Sequence, residues 1–196
     1  MRIDPSSDAL VVVDVQNDFC PRGALAVLDG DRVVPVLNRY IERFAGAGAP
    51  VFVTRDWHPQ VTKHFKAYGG AWPPHCVQGT AGAEFHADLR LPPPAIVVSK
   101  GMDPEEDAYS AFQAEDTEGT PFPALLGEQG VQRLFVGGLA TDYCVRSTVL
   151  DGLKEGFQMV VLEDAIGAVD VKPGDGARAI EEMKAAGAAF VTLSEL

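Results

Sequence analysis

Cysteine is scarce in this chain. Only Cys20, Cys76 and Cys144 occur among 196 residues. They are odd in number, widely spaced and form no CxxC pair, which argues against a zinc ribbon or a thioredoxin-type motif. A reduced, cytoplasmic setting is the expectation. Basic charge is also short: 16 Lys and Arg stand against 28 Asp and Glu, a net charge of −12. Nucleic acid and anionic membranes both need a basic surface, so neither is an expected partner, whereas a small neutral or cationic substrate stays open. No apolar run approaches the roughly 18 residues of a membrane helix. The opening Met1-Arg2-Ile3-Asp4-Pro5 lacks the apolar stretch and cleavage site of an export signal. Repeats and low-complexity tracts are missing as well.

What is present is an ordinary globular composition, 46% hydrophobic and 22% charged. The length suits one domain, residues 1–196, with a core large enough to need no disulfide or metal staple. Six short, β-branched apolar runs stand out: 9–13, 50–54, 95–99, 132–136, 158–162 and 188–193. They lack polar alternation, as strands buried on both faces do. Helical periodicity fills most intervals, over 31–47, 142–155 and 175–186, with a weaker helix at 122–129. Alternation of this kind predicts an α/β fold: a doubly wound three-layer sandwich on a mostly parallel six-stranded sheet. One stretch breaks the rhythm. Residues 55–94 are rich in Pro, Gly, His and aromatics, and long irregular connections of this sort usually carry function. Residues 101–121 are irregular too and are expected at the same mouth.

In open parallel sheets ligands bind beyond the carboxyl ends of the strands, so the candidate site residues lie at those ends. The first run ends in Asp14, which reads equally as a functional carboxylate or as a turn former or helix cap; no GxGxxG follows it, which disfavours a dinucleotide site. The second ends in Asp56-Trp57-His58, with His64 and His75 downstream. Asp56 and His58 point the same way in an extended chain. Carboxylate plus imidazole suits zinc, iron or manganese, and the alternative is a polar loop with surface histidines. The third ends in Lys100, either a solvated charge or a cation beside a nucleophile. The fourth leads into Gly137-Gly138-Leu139-Ala140-Thr141-Asp142-Tyr143-Cys144. There Asp142 is a plausible N-cap and Cys144 falls in the first helical turn, where a thiol's pKa is lowered; otherwise Cys144 is a small buried hydrophobe. Cys20 and Cys76 lack that context and are assigned to packing. A carboxylate, an amine and a thiol at one sheet edge compose a nucleophilic site.

These residues carry a resemblance. Val12–Phe19, Thr54–Pro59, Trp72–Thr80, Lys100-Gly101, Asp107–Phe112 and Gly137–Val145 resemble blocks of the nicotinamidase (pyrazinamidase) group of the isochorismatase-like cysteine hydrolases, in order along essentially the whole chain. The resemblance implies Asp14, Lys100 and Cys144 as a catalytic triad. It implies Asp56, His58 and His75 as ligands to one divalent metal ion, zinc ahead of iron or manganese. His64 falls where some relatives supply a further ligand and others use water. Phe19 and Trp72 match residues that sandwich a pyridine ring, and Tyr109 another pocket residue. Backbone N–H groups of Ala140 and Cys144 match an oxyanion hole, preceded by a cis Leu139–Ala140 peptide. The implied reaction is hydrolysis of nicotinamide to nicotinate and ammonia through a Cys144 thioester, extending to pyrazinamide and serving NAD salvage. The alternatives are a carbamoyl or ureido amidase, a hydrolase using metal-bound water, and a non-catalytic metal or small-molecule binding module. A homo-oligomer is compatible with a domain of this size.

Overall fold

Every predicted strand forms. A computed structural model describes residues 1–196 and contains β1 (Asp8–Val13), β2 (Val51–Asp56), β3 (Ile96–Lys100), β4 (Arg133–Leu139), β5 (Gln158–Gly167) and β6 (Ala189–Val191). The expected helices are α1 (Val33–Ala47), α2 (Phe122–Glu128), α3 (Arg146–Lys154) and α4 (Asp175–Ala185). The strands lie in the order β3-β2-β1-β4-β5-β6, and every neighbouring pair is parallel. The expected "mostly parallel" sheet is therefore wholly parallel.

The layering follows from chain direction. Right-handed crossovers leave α1 and the long β2–β3 connection on one face, because they run toward β3. The helices of the other half, α2, α3 and α4, run toward β6 and cover the opposite face. Side-chain alternation along β1 supplies both cores: Leu10 and Val12 pack with Leu37, Tyr40, Ile41 and Phe44 of α1, while Ala9, Val11 and Val13 pack with Phe122, Leu126, Val149 and Met183. Each such aliphatic side chain contributes about 1.5–3 kcal/mol when fully buried. Cys20 and Cys76 lie buried in the α1-side core, as packing residues should.

Two details position what lies above the sheet. The strand order reverses between β1 and β4, which opens a crevice at their carboxyl ends. At that seam Gly138 has φ +126°, and a Cβ there would lie 2.1 Å from the Val13 carbonyl oxygen. Only glycine lets the two backbones close up as they do. No helix is long and apolar enough to cross a membrane.

Candidate active site

The carboxyl ends of β1, β2 and β3 bring three charged side chains into register. Parallel pairing sets Asp56 opposite Lys100, and Asp14 follows β1 with a left-handed φ of +48°. Asp14, Asp56 and Lys100 are all buried. Lys100 Nζ lies 2.8 Å from Asp14 Oδ2 and makes a short hydrogen bond to Asp56 Oδ1. It also lies 3.5 Å from Cys144 Sγ. The Asp14 and Asp56 carboxylates and the Cys144 sulfur fall within 4.8 Å of one another, with the ammonium among them. The sequence-predicted carboxylate, amine and thiol thus meet at one point.

Thr54 organises this group. Its hydroxyl donates to Asp14 Oδ1 at 2.5 Å, and the Asp14 amide also approaches the Thr54 oxygen at 3.2 Å. Asp14 Oδ2 is left facing Lys100 with no well-directed hydrogen bond. That oxygen keeps a lone pair to receive a proton.

The electrostatics follow from burial. Burial raises the Asp14 carboxyl above the usual carboxylate range; Lys100 opposes this, and the charge of Asp56 adds to it. Burial alone would lower Lys100, but Asp14 and Asp56 outweigh it and hold the ammonium charged. Burial also pushes the Cys144 thiol up, against the pull of Lys100, with Asp14 and Asp56 reinforcing the rise. This corrects the expectation of a thiol lowered by a helix start. Cys144 does stand in the first helical turn, since Thr141–Val145 form a π-helical turn that runs directly into α3 at Arg146. Asp142 caps nothing there. Its carboxylate accepts from the amides of Val169 and Asp170, each at 2.9 Å, tying down the loop after β5. A thiol between two carboxylates and one ammonium becomes nucleophilic by handing its proton to a neighbour, a transfer that leaves the net charge of the group unchanged.

Next to this group lies a cluster of histidines. Ring nitrogens of His58, His64 and His75 come within 4.8 Å of one another, and all three residues are buried. Each ring is anchored at Nδ1: His58 to the Gly101 carbonyl at 2.9 Å, His75 to the Pro73 carbonyl at 2.8 Å, and His64 to Asp107 Oδ1 at 2.6 Å. These oxygens only accept, so every Nδ1 carries the proton and every Nε2 offers a lone pair inward. His58 Nε2 is buried without a partner. Burial lowers His75 to about 4 and lowers His64 as well, so both rings are neutral, as metal ligands must be. Asp56 Oδ2 lies 3.7 and 3.9 Å from the Nε2 atoms of His58 and His75. The orphaned nitrogen, the anchored tautomers and the single carboxylate fit a divalent cation. His64, uncertain in the sequence, stands inside the cluster. The other trio of possible ligands, Asp14, Asp56 and Cys144, already encloses an ammonium.

A cleft with about 360 Å³ of empty space opens over both groups. Cys144, Ala140, Asp56, His64 and His75 reach its floor, and Phe19, Trp72 and Tyr109 stand in its walls. Trp72 Nε1 donates to the Tyr109 hydroxyl at 3.0 Å, which joins the two irregular connections. The Leu139–Ala140 peptide is cis. The Ala140 carbonyl accepts from the Tyr143 and Val145 amides.

Sequence reasoning missed several contributors. Tyr143 packs edge-on against Trp72 with ring centroids 4.9 Å apart, completing the aromatic wall. It stood beside Cys144 in a recognised block, and that adjacency was the available signal. Gln16 grips the Asp56 backbone at both ends, Nε2 donating to its carbonyl and Oε1 accepting from its amide, each at 2.8 Å. Neither Gln16, Thr54 nor Asp107 announces such a role without the fold.

Comparison with known proteins agrees with this geometry. Residues 8–195 match the Isochorismatase domain family. The chain is 40% identical over 203 residues to the nicotinamidase of Escherichia coli, covering 95% of each protein. Pyrazinamidase of Pyrococcus horikoshii, solved in complex with zinc, superposes with a TM-score of 0.88 at 46% identity, covering 95% of this chain and 99% of that one. PnC1 from L. infantum, solved in complex with nicotinate, superposes with a TM-score of 0.87 at 36% identity, covering 99% and 96%. With the family's match spanning nearly every residue and its sheet-edge constellation in place, this chain belongs to the isochorismatase family, beside the nicotinamidases and pyrazinamidases.

Proposed function

We propose that the protein is an amidohydrolase that converts nicotinamide to nicotinate and ammonia and accepts pyrazinamide. The observation that carries this reading is the meeting of two groups under one aromatic cleft: Asp14, Lys100 and Cys144 on one side, and Asp56 with three inward-facing histidines on the other. An aromatic carboxamide would stack between Phe19 and Trp72 with its amide carbon over Cys144. Residues 1–196 act as one hydrolase domain, with 55–94 as its metal-binding insertion.

Asp56, His58, His64 and His75 would hold the cation, zinc in this reading. When bound, it supplies a Lewis-acid grip that orients the ring nitrogen. The protein's own residues carry the rest. Asp14 Oδ2 takes the Cys144 proton, and Lys100 stabilises the thiolate left behind. The sulfur attacks the carboxamide carbon, and backbone N–H groups at Ala140 and Cys144 receive the oxyanion. Asp14 returns its proton to the departing nitrogen, ammonia leaves, and a thioester remains on Cys144. Asp14, ionised again, then draws a proton from water, which attacks the thioester; the C–S bond breaks, nicotinate departs and the thiol is restored. Nicotinate so formed would feed pyridine-nucleotide salvage. The buried, unpaired cysteines support a cytoplasmic setting, and association into a homo-oligomer belongs to the same reading.

The test is ammonia release from nicotinamide by zinc-loaded wild type and folded Cys144→Ala, side by side. Release by wild type and a loss of about 10⁴-fold or more in the variant is expected. No release by wild type would overturn the substrate, and equal release by both would move the chemistry away from Cys144.

A further inference from the structure

The three histidines are not anchored alike. His58 and His75 donate Nδ1–H to backbone carbonyls, of Gly101 and Pro73. His64 alone donates to a side chain, and to a charged one: Asp107 Oδ1, at 2.6 Å. The His64 side chain is 3% exposed, whereas that of Asp107 is 59% exposed. A solvent-facing carboxylate therefore fixes a buried ring across 43 residues of sequence. Asp107 makes no other ion pair.

Its loop is built to hold that position. The Pro104 carbonyl receives the Lys63 amide at 2.9 Å. Gln113 Oε1 accepts from the Tyr109 and Ser110 amides at 3.0 and 3.1 Å, and Gln113 Nε2 donates to the Asp107 carbonyl at 3.2 Å. The Asp107 backbone is thus tied to the same residue that ties down Tyr109 in the cleft wall.

We infer that Asp107 is a positioning residue that commits His64 to the metal site, turning three ligands (Asp56, His58 and His75) into four. The hydrogen bond holds the Nδ1–H tautomer, aims Nε2 inward and makes the imidazole a stronger donor. Without it, Nδ1 of this buried ring has no hydrogen-bond partner, and nothing fixes which nitrogen faces the cluster. This inference rests on the metal-site reading above, and its test separates the two.

The experiment measures zinc affinity of the metal-free protein by competition with a chromophoric chelator, alongside the visible spectrum of the cobalt-substituted protein. Asp107→Ala is expected to weaken zinc binding about 10–100-fold and to alter the cobalt spectrum. Asp107→Asn keeps an acceptor oxygen and should lose less; it also serves if the alanine variant folds poorly. Glu106→Gln removes the same charge one residue away and should leave affinity unchanged. In a His64→Ala background, Asp107→Ala should have no further effect. If Asp107→Ala binds zinc like wild type or like Glu106→Gln, or if it still weakens binding without His64, the inference is wrong while the metal site stands. If wild type itself fails to bind zinc, both readings fall.

Discussion

Asp56 and Lys100, opposite one another on adjacent parallel strands, join two chemistries through one carboxylate. Asp56 Oδ1 hydrogen-bonds the Lys100 ammonium, and Oδ2 faces the Nε2 atoms of His58 and His75. Lys100 in turn touches both Asp14 and Cys144. The histidine cluster and the nucleophile therefore share a charge network.

Asp56→Asn tests that coupling. It removes a proposed metal ligand and leaves a buried ammonium with one carboxylate instead of two. Disrupting a buried pair in this way costs about 3–5 kcal/mol. The expected result is a lower urea midpoint in metal-free protein, together with loss of bound zinc and loss of nicotinamide hydrolysis. A variant that loses zinc but keeps wild-type stability would show that Lys100 does not depend on Asp56.

The Cys144 thiol should stay protonated in the free enzyme at neutral pH. Burial and two carboxylates raise it, and Lys100 only partly offsets them. A raised thiol pKa means a smaller thiolate fraction at pH 7–9 than a free cysteine has. Alkylation of Cys144 by iodoacetamide, followed by peptide mass spectrometry, should therefore keep accelerating above pH 9. A plateau reached below pH 7 would reverse the assignment and restore a preformed thiolate.

Gly101 is expected to resist replacement. Its φ is +69°, and an added Cβ would lie 2.4 Å from His58 Cε1. Its carbonyl also anchors the same ring. Gly101→Ala combines backbone strain with a push on the His58 ring, a proposed metal ligand, at a stability cost of about 1–3 kcal/mol. The measurements are thermal denaturation and zinc affinity, and both should fall. Unchanged zinc affinity would show that the His58 ring can move without loss of the site.

Much of the fold was legible because buried parallel strands and amphipathic helices write themselves as patterns. The runs at 9–13, 50–54 and 158–162 lie within β1, β2 and β5, or begin one residue before, because nothing polar interrupts a strand covered on both faces. Strand ends were less legible. β4 continues through Gly137 and Gly138 to Leu139, where the glycines read as a loop until the close approach to Val13 is seen. Cys144 lies in the first helical turn as expected, but the cap is Ala140 and not Asp142. An Asp just before a helical period looks like an N-cap, and only the loop after β5 reveals its amide partners.

By itself, the sequence determined the class of fold, the parallel strands and the residues that carry chemistry, because hydrophobic periodicity and local motifs lie along the chain. Their relationships were decided by tertiary structure. Lys100 reads as either a solvated charge or a cation beside a nucleophile until β2 and β3 pair in register and bury it between two carboxylates. Thr54 reads as one more strand residue until β1 lies beside β2 and its hydroxyl meets Asp14. His64 reaches His58 and His75 only in the folded chain, where its Nδ1 meets Asp107, 43 positions away. Charge burial, ring orientation and hydrogen-bond partnership depend on distances between remote segments, which exist only once the chain has folded.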